Sequence, residues 1–125
     1  MYIYYNANPV RKSHGDCVLR ALSKVLNLTW EEVAIDLCMM QVKLYDMQNS
    51  DYVWGEYLAL NGFTKKYLPY PCPDCLTVKD FCNRFPKGVF VVATGNHVIA
   101  VIDGDYYDTF DTGDEVLLYY WERRD

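Results

Sequence analysis

Histidine is scarce in this 125-residue chain: only His14 and His97 occur. Any reaction needing an imidazole therefore has two places to find one. Long apolar runs are missing too, and none approaches the ~20 residues a membrane helix needs. No basic-then-apolar leader opens the chain, so no secretory signal is expected. Lys and Arg never cluster beyond two or three, and the net charge is −5. That balance argues against nucleic acid as a partner, because phosphate binding needs a basic face. Repeats, linkers and low-complexity stretches are absent as well. The expectation is one domain over residues 1–125, without membrane or nucleic-acid partners.

What is present is apolar and aromatic. The composition is 51% hydrophobic and 16% aromatic, with 12 Tyr, which excludes disorder and supplies a real core. Five cysteines are an odd number for a disulfide framework. With no secretion signal beside them they read as reduced thiols in the cytoplasm.

The stretch Ser13-His14-Gly15-Asp16-Cys17-Val18-Leu19-Arg20-Ala21-Leu22 organises the rest. Gly15 permits a sharp turn, Asp16 is a favoured N-cap, and a helix over Cys17 to about Leu26 follows, with Val18, Leu22, Val25 and Leu26 on its apolar face. A thiol at the first helical position meets unpaired N–H groups and the positive end of the helix dipole. Both favour the thiolate and lower the pKa below the free value of about 8.5. The competing reading of Cys17 is a small buried core residue, and a base elsewhere must decide between them.

Met1–Tyr5 reads as a short edge strand or packed arm, closed by Asn6-Ala7-Asn8-Pro9. Thr29-Trp30-Glu31-Glu32 is a capping box that starts a second helix, which loses definition through Met39–Asp46. A third helix covers Asp51–Leu60, stopped by Asn61-Gly62, and Phe63–Leu68 reads as a short strand. Pro69, Pro71 and Pro73 force an extended loop, and Thr77 caps a short helix that ends at Phe85. Val89–Thr94, His97–Ile102, Asp105–Phe110 and Glu115–Trp121 are four β-rich runs, with Asp103-Gly104 as a tight hairpin signal. Helices first and a meander afterwards is an α+β order: an N-terminal helical half packed on a C-terminal antiparallel sheet of at least four strands.

A base must reach Cys17 from across a site. His97, at the rim of the sheet, can do so better than His14, only three residues before the thiol, so His14 reads as a loop residue. A two-residue loop at Asp103-Gly104 makes Ile102 face Asp105 and His97 face Phe110. Alternation then puts His97, Ile99, Asp108 and Phe110 on one face, with Asp108 a diagonal neighbour of His97. Asp111 becomes the facing residue if the loop holds three residues. Asp108 is the first choice for orienting the imidazole and Asp111 the alternative.

A cysteine opening the first long helix, a His on a strand and an Asp one hairpin later resembles the papain-like cysteine peptidases, where Asp108-Thr109-Phe110 is similar to the segment holding the third catalytic residue. Gly15–Ala21, with His97–Gly104 and Tyr107–Asp111, is similar to small papain-like proteins of phages and bacteria. The resemblance implies a papain-like fold and a Cys17–His97–Asp108 triad acting on peptide or isopeptide bonds through a thioester, with acyl transfer as a related reaction. It implies no cofactor. The alternative is a weakly active or inactive papain-like scaffold that binds a host or phage protein. The superfamily usually has a Gln six residues before the cysteine as oxyanion donor, and here that position is Arg11. Asn8 is the nearby substitute, beside the backbone N–H of Cys17.

Cys72-Pro73-Asp74-Cys75 has the spacing of half a zinc site. The other half is poorly supplied, because Cys82 falls inside a short helix, Cys38 is far upstream and no histidine is near. Loop and core thiols, without a metal, are the expectation. The aromatic tail Tyr119-Tyr120-Trp121 reads as a final strand.

Overall fold

The computed structural model describes residues 1–13, 15–68 and 76–124. His14, the prolines of residues 69–73 and the Cys72/Cys75 pair lie outside the described residues. Elements run β1 (Tyr2–Tyr4), α1 (Cys17–Leu26), α2 (Trp30–Leu44), α3 (Asp51–Leu60), β2 (Phe63–Tyr67), α4 (Val78–Arg84), β3 (Val89–Ala93), β4 (Val98–Ile102), β5 (Asp105–Asp108) and β6 (Tyr119–Arg123). This is an α+β order. No helix among the described residues is long and apolar enough to cross a membrane.

The sheet is larger than expected and mixed. Its order is β1-β5-β4-β3-β6-β2. The four central strands are antiparallel neighbours, as the C-terminal meander requires. Both edges come from before the C-terminal meander: β2 runs antiparallel to β6, and β1 lies parallel to β5. The expectation of a purely antiparallel C-terminal sheet is corrected on that point. Three residues of β1 suffice because the flanking backbone extends the pairing, with Tyr106 N–H donating to Met1 and Tyr5 N–H to Asp108.

One further boundary moves. The last strand begins at Tyr119, not Glu115, because residues before it have other partners. Thr77 and Val116 form an isolated bridge, and Leu117 N–H donates to the Leu76 carbonyl at 2.9 Å.

Two apolar clusters lie on the two faces of the sheet. On one, α1 and α3 bury Leu22, Trp54 and Leu58 with Val91 and Ala100. On the other, α4 brings Val78 and Phe81 against Phe90, Ile99 and Tyr120. At ~25 cal/mol per Å² of apolar surface, fully burying each large side chain is worth about 1.5–3 kcal/mol, so both faces hold the strands that carry the site. Helix α2 packs on α1 and α3, one layer further from the sheet.

Candidate active site

Helix α1 starts at Cys17 because Gly15 adopts φ +68, a conformation cheap only for glycine, and turns the chain into the helix. Asp16 stands at the N-cap position but does not cap, a departure from the sequence reading. Its carboxylate accepts from Arg20 Nη2 at 2.7 Å and from Trp30 Nε1 at 3.2 Å. A buried guanidinium offers a charge-assisted bond that backbone N–H groups cannot match. The first-turn N–H groups of α1 are thereby left without a side-chain cap.

The second residue comes from the turn between β3 and β4. Thr94 N–H donates to the His97 carbonyl at 2.9 Å, closing a four-residue turn that holds His97 just ahead of Val98. The third comes from the far side of the next hairpin. Asp103 (φ 49) and Gly104 (φ 83) are both left-handed, as a two-residue hairpin loop requires. Ile102 then pairs with Asp105 and Ala100 with Tyr107, which places Asp108 at the end of β5, beside His97.

His97 and Asp108 form a hydrogen-bonded pair, and Cys17 lines the same cleft as His97. Asp108 Oδ2 accepts from His97 Nε2 at 2.6 Å. That leaves Nδ1 of the ring free to face Cys17, whose thiol is influenced by His97, the Val98 backbone N–H and Arg20. Burial alone would raise the Cys17 pKa. The hydrogen bond to His97, its positive charge, the Val98 N–H and the Arg20 charge together outweigh burial, and the thiol ends below its ordinary range. Burial alone would likewise lower the His97 pKa. Hydrogen bonds to Asp108 and Cys17, with the charges of both, push it up to about 10. Both shifts favour the thiolate–imidazolium form of the pair over the neutral one. Phe110 lies against the imidazole at a centroid distance of 5.6 Å.

Sequence reasoning missed what holds Asp108. Arg20 is 3% exposed and Asp108 is wholly buried. Arg20 Nη1 donates to Asp108 Oδ1 at 2.9 Å while its other arm holds Asp16. The Thr109 backbone N–H also donates to Oδ1, at 2.8 Å. Asp108 thus has one oxygen for the guanidinium and one for the imidazole. Its one trace in the sequence is a charged residue inside an apolar helix, three residues after Cys17 and four after Asp16, which does not name the carboxylates it will meet.

The other candidates lie elsewhere. Asp111 accepts from the Tyr106 hydroxyl and the Gly113 N–H and does not meet His97. Asn8 uses Oδ1 to accept from Val10 N–H at 2.9 Å and lines a different concavity, with Tyr4 and Arg11. Arg11 is exposed in a left-handed turn. Cys82 is buried inside α4, where burial pushes its thiol up to about 11, and Cys38 is exposed on α2.

Cys17 and His97 open into a cleft of about 340 Å³, floored by Trp54 and walled by Asn49, Asn96 and Tyr119. Its far side is fixed by the Tyr119 hydroxyl donating to Asp51 at 2.6 Å. The chain was compared with protein-family models, curated proteins and solved structures, and none of them matches it.

Proposed function

We propose that this protein is a papain-like cysteine hydrolase acting on peptide or isopeptide bonds, with Cys17 as nucleophile, His97 as acid and base, and Asp108 as the residue that orients His97. The observation that carries the proposal is the His97–Asp108 pair at 2.6 Å in the same open cleft as Cys17, whose thiol pKa is lowered by His97. A structural cysteine needs neither a raised histidine nor a cleft. Perturbed titratable groups with mutual geometry in a concave site are the physical mark of a catalytic centre.

Cys17 Sγ attacks the substrate carbonyl carbon and forms a C–S bond, and the carbonyl oxygen becomes an oxyanion. The first-turn N–H groups of α1, uncapped by Asp16, receive that charge together with the positive helix end. The C–N bond then breaks, and His97 gives its proton to the leaving amine. His97 next takes a proton from water, whose oxygen attacks the thioester, releases the acid and restores the thiol. An amine in place of water would make the same thioester an acyl-transfer intermediate.

One observation favours a second reading, a papain-like scaffold that binds a protein without efficient turnover. Neither Arg11 nor Asn8 supplies a side-chain oxyanion donor at the cleft. Loss of one such donor costs about 10²–10³ in rate, so the two readings predict different turnover with the same thiol reactivity. A short peptide carrying a C-terminal electrophile, followed by mass spectrometry, tests the first. The expected result is one adduct, on Cys17, together with cleavage of a fluorogenic peptide mixture that Cys17→Ala abolishes. A Cys17 adduct without any cleavage favours the scaffold, and an adduct on another cysteine overturns both.

A further inference from the structure

Helix α2 is the outermost helix, seated on α1 and α3, and its far face is apolar. Its inward side carries Val33 and Leu37, both fully buried. On its outward side Ile35, Met39 and Val42 recur at i, i+4 and i+7, the spacing of a helix face that packs against another element. They are 62%, 67% and 68% exposed, and Tyr45, at the C-cap, is 94% exposed. Isolated exposed apolar residues need no explanation; a continuous stripe along a 15-residue helix does.

The charges beside the stripe indicate its occupant. Glu31 and Glu32 lie in the first turn of α2 and Lys43 in the last. The midpoint of Ile35 and Val42 falls between Cys38 and Met39. A second copy turned antiparallel about that midpoint puts each Lys43 level with the other helix between Glu32 and Asp36. Glu32 Oε1 and Asp36 Oδ2 accept from the Thr29 N–H and the Tyr57 hydroxyl, so the second oxygen of each carboxylate would meet the lysine. It also sets Ile35 against Val42, Met39 near Met39, and the two helix dipoles head to tail. A parallel pairing would instead align like charges.

We infer that this face of α2 is an isologous interface for a second copy of the chain, with the two α2 helices antiparallel. A helix of 15 residues is about 22 Å long, too short to bury the ~800 Å² per partner of a standard interface. The dimer is therefore weak and concentration-dependent.

Sedimentation equilibrium of the whole chain between about 10 µM and 1 mM tests this. The expected result is a monomer–dimer equilibrium that Met39→Glu abolishes, Lys43→Glu weakens by about 10-fold and Lys43→Arg leaves alone. Both positions are exposed, so circular dichroism and Cys17 labelling should be unchanged in each variant. A short bismaleimide should give a Cys38–Cys38 product in the wild type and none in Met39→Glu. A wild-type chain that stays monomeric at 1 mM overturns the inference, as does a dimer that survives Met39→Glu. A dimer indifferent to Lys43→Glu overturns the antiparallel arrangement.

Discussion

Removing one sulfur separates a nucleophile from a core residue. Cys17 sits at a cleft-facing helix start, so Cys17→Ala should abolish turnover and cost under ~1 kcal/mol in denaturant unfolding. A loss of several kcal/mol would mean that the thiol is a packing element. Asp108 should behave differently, because its carboxylate is a principal cause of the high His97 pKa. In Asp108→Asn that pKa, followed by NMR, should fall from about 10 toward the ordinary ~6.5. A pKa that stays near 10 would remove Asp108 from the site. Arg20 is the strongest structural dependence. Arg20→Met leaves Asp16 and Asp108 buried without their shared cation, which should cost about 3–5 kcal/mol, read as a shifted urea midpoint. Surface ion pairs such as Lys79–Asp114 should be worth far less. At this scale Cys17, His97 and Asp108 could be picked from the sequence because only two histidines exist and the two-residue hairpin loop brings Asp108 back beside His97. Arg20 could not, because nothing in the chain says that an arginine within an apolar helix will find two buried carboxylates.

Elements with local punctuation were legible. Helices α1 and α3 have the bounds the sequence indicates, since a turn or cap opens each one and Asn27 or Asn61 closes it. The hairpin at Asp103-Gly104 was equally plain, and it decides whether Asp108 or Asp111 shares a face with His97. Gly104→Val forces a β-branched residue to φ +83, which should cost about 1–2 kcal/mol in unfolding free energy. Activity per folded molecule should survive if the register holds. Helix α2 was read too short. The sequence suggests lost definition from Met39, yet the helix continues to Leu44 and ends at Tyr45 with φ 56. Apolar residues on both sides blur the amphipathic period there, and a face reserved for a partner produces that blur. Strand β1 joining in parallel was not legible, because parallel pairing at a sheet edge leaves no turn signature.

For the whole molecule, the site exists only when three distant pieces of chain meet. Cys17 comes from a helix start, His97 from a tight turn and Asp108 from a strand end 91 residues after the cysteine. Packing on both faces of the sheet brings them together, and unfolding must dissolve the ion pair. The pH dependence follows from the signs of the shifts. The Cys17 pKa is lowered, so its thiolate persists to more acidic pH than a free thiol allows; the His97 pKa is raised, so the imidazolium persists until about pH 10. Turnover should therefore rise with pH as Cys17 ionises and fall again near pH 10, a bell whose limbs belong to the pair. The most direct measurement is the iodoacetamide rate at each cysteine from pH 5 to 10, by mass spectrometry, for native wild type, native His97→Ala and urea-unfolded chain. In the native wild type Cys17 should react fastest and stay reactive at more acidic pH than a free thiol. In His97→Ala and in the unfolded chain its profile should move to the free value of about 8.5, alongside that of Cys38. A native Cys17 profile that already coincides with the unfolded one, or that His97→Ala leaves unchanged, would contradict it.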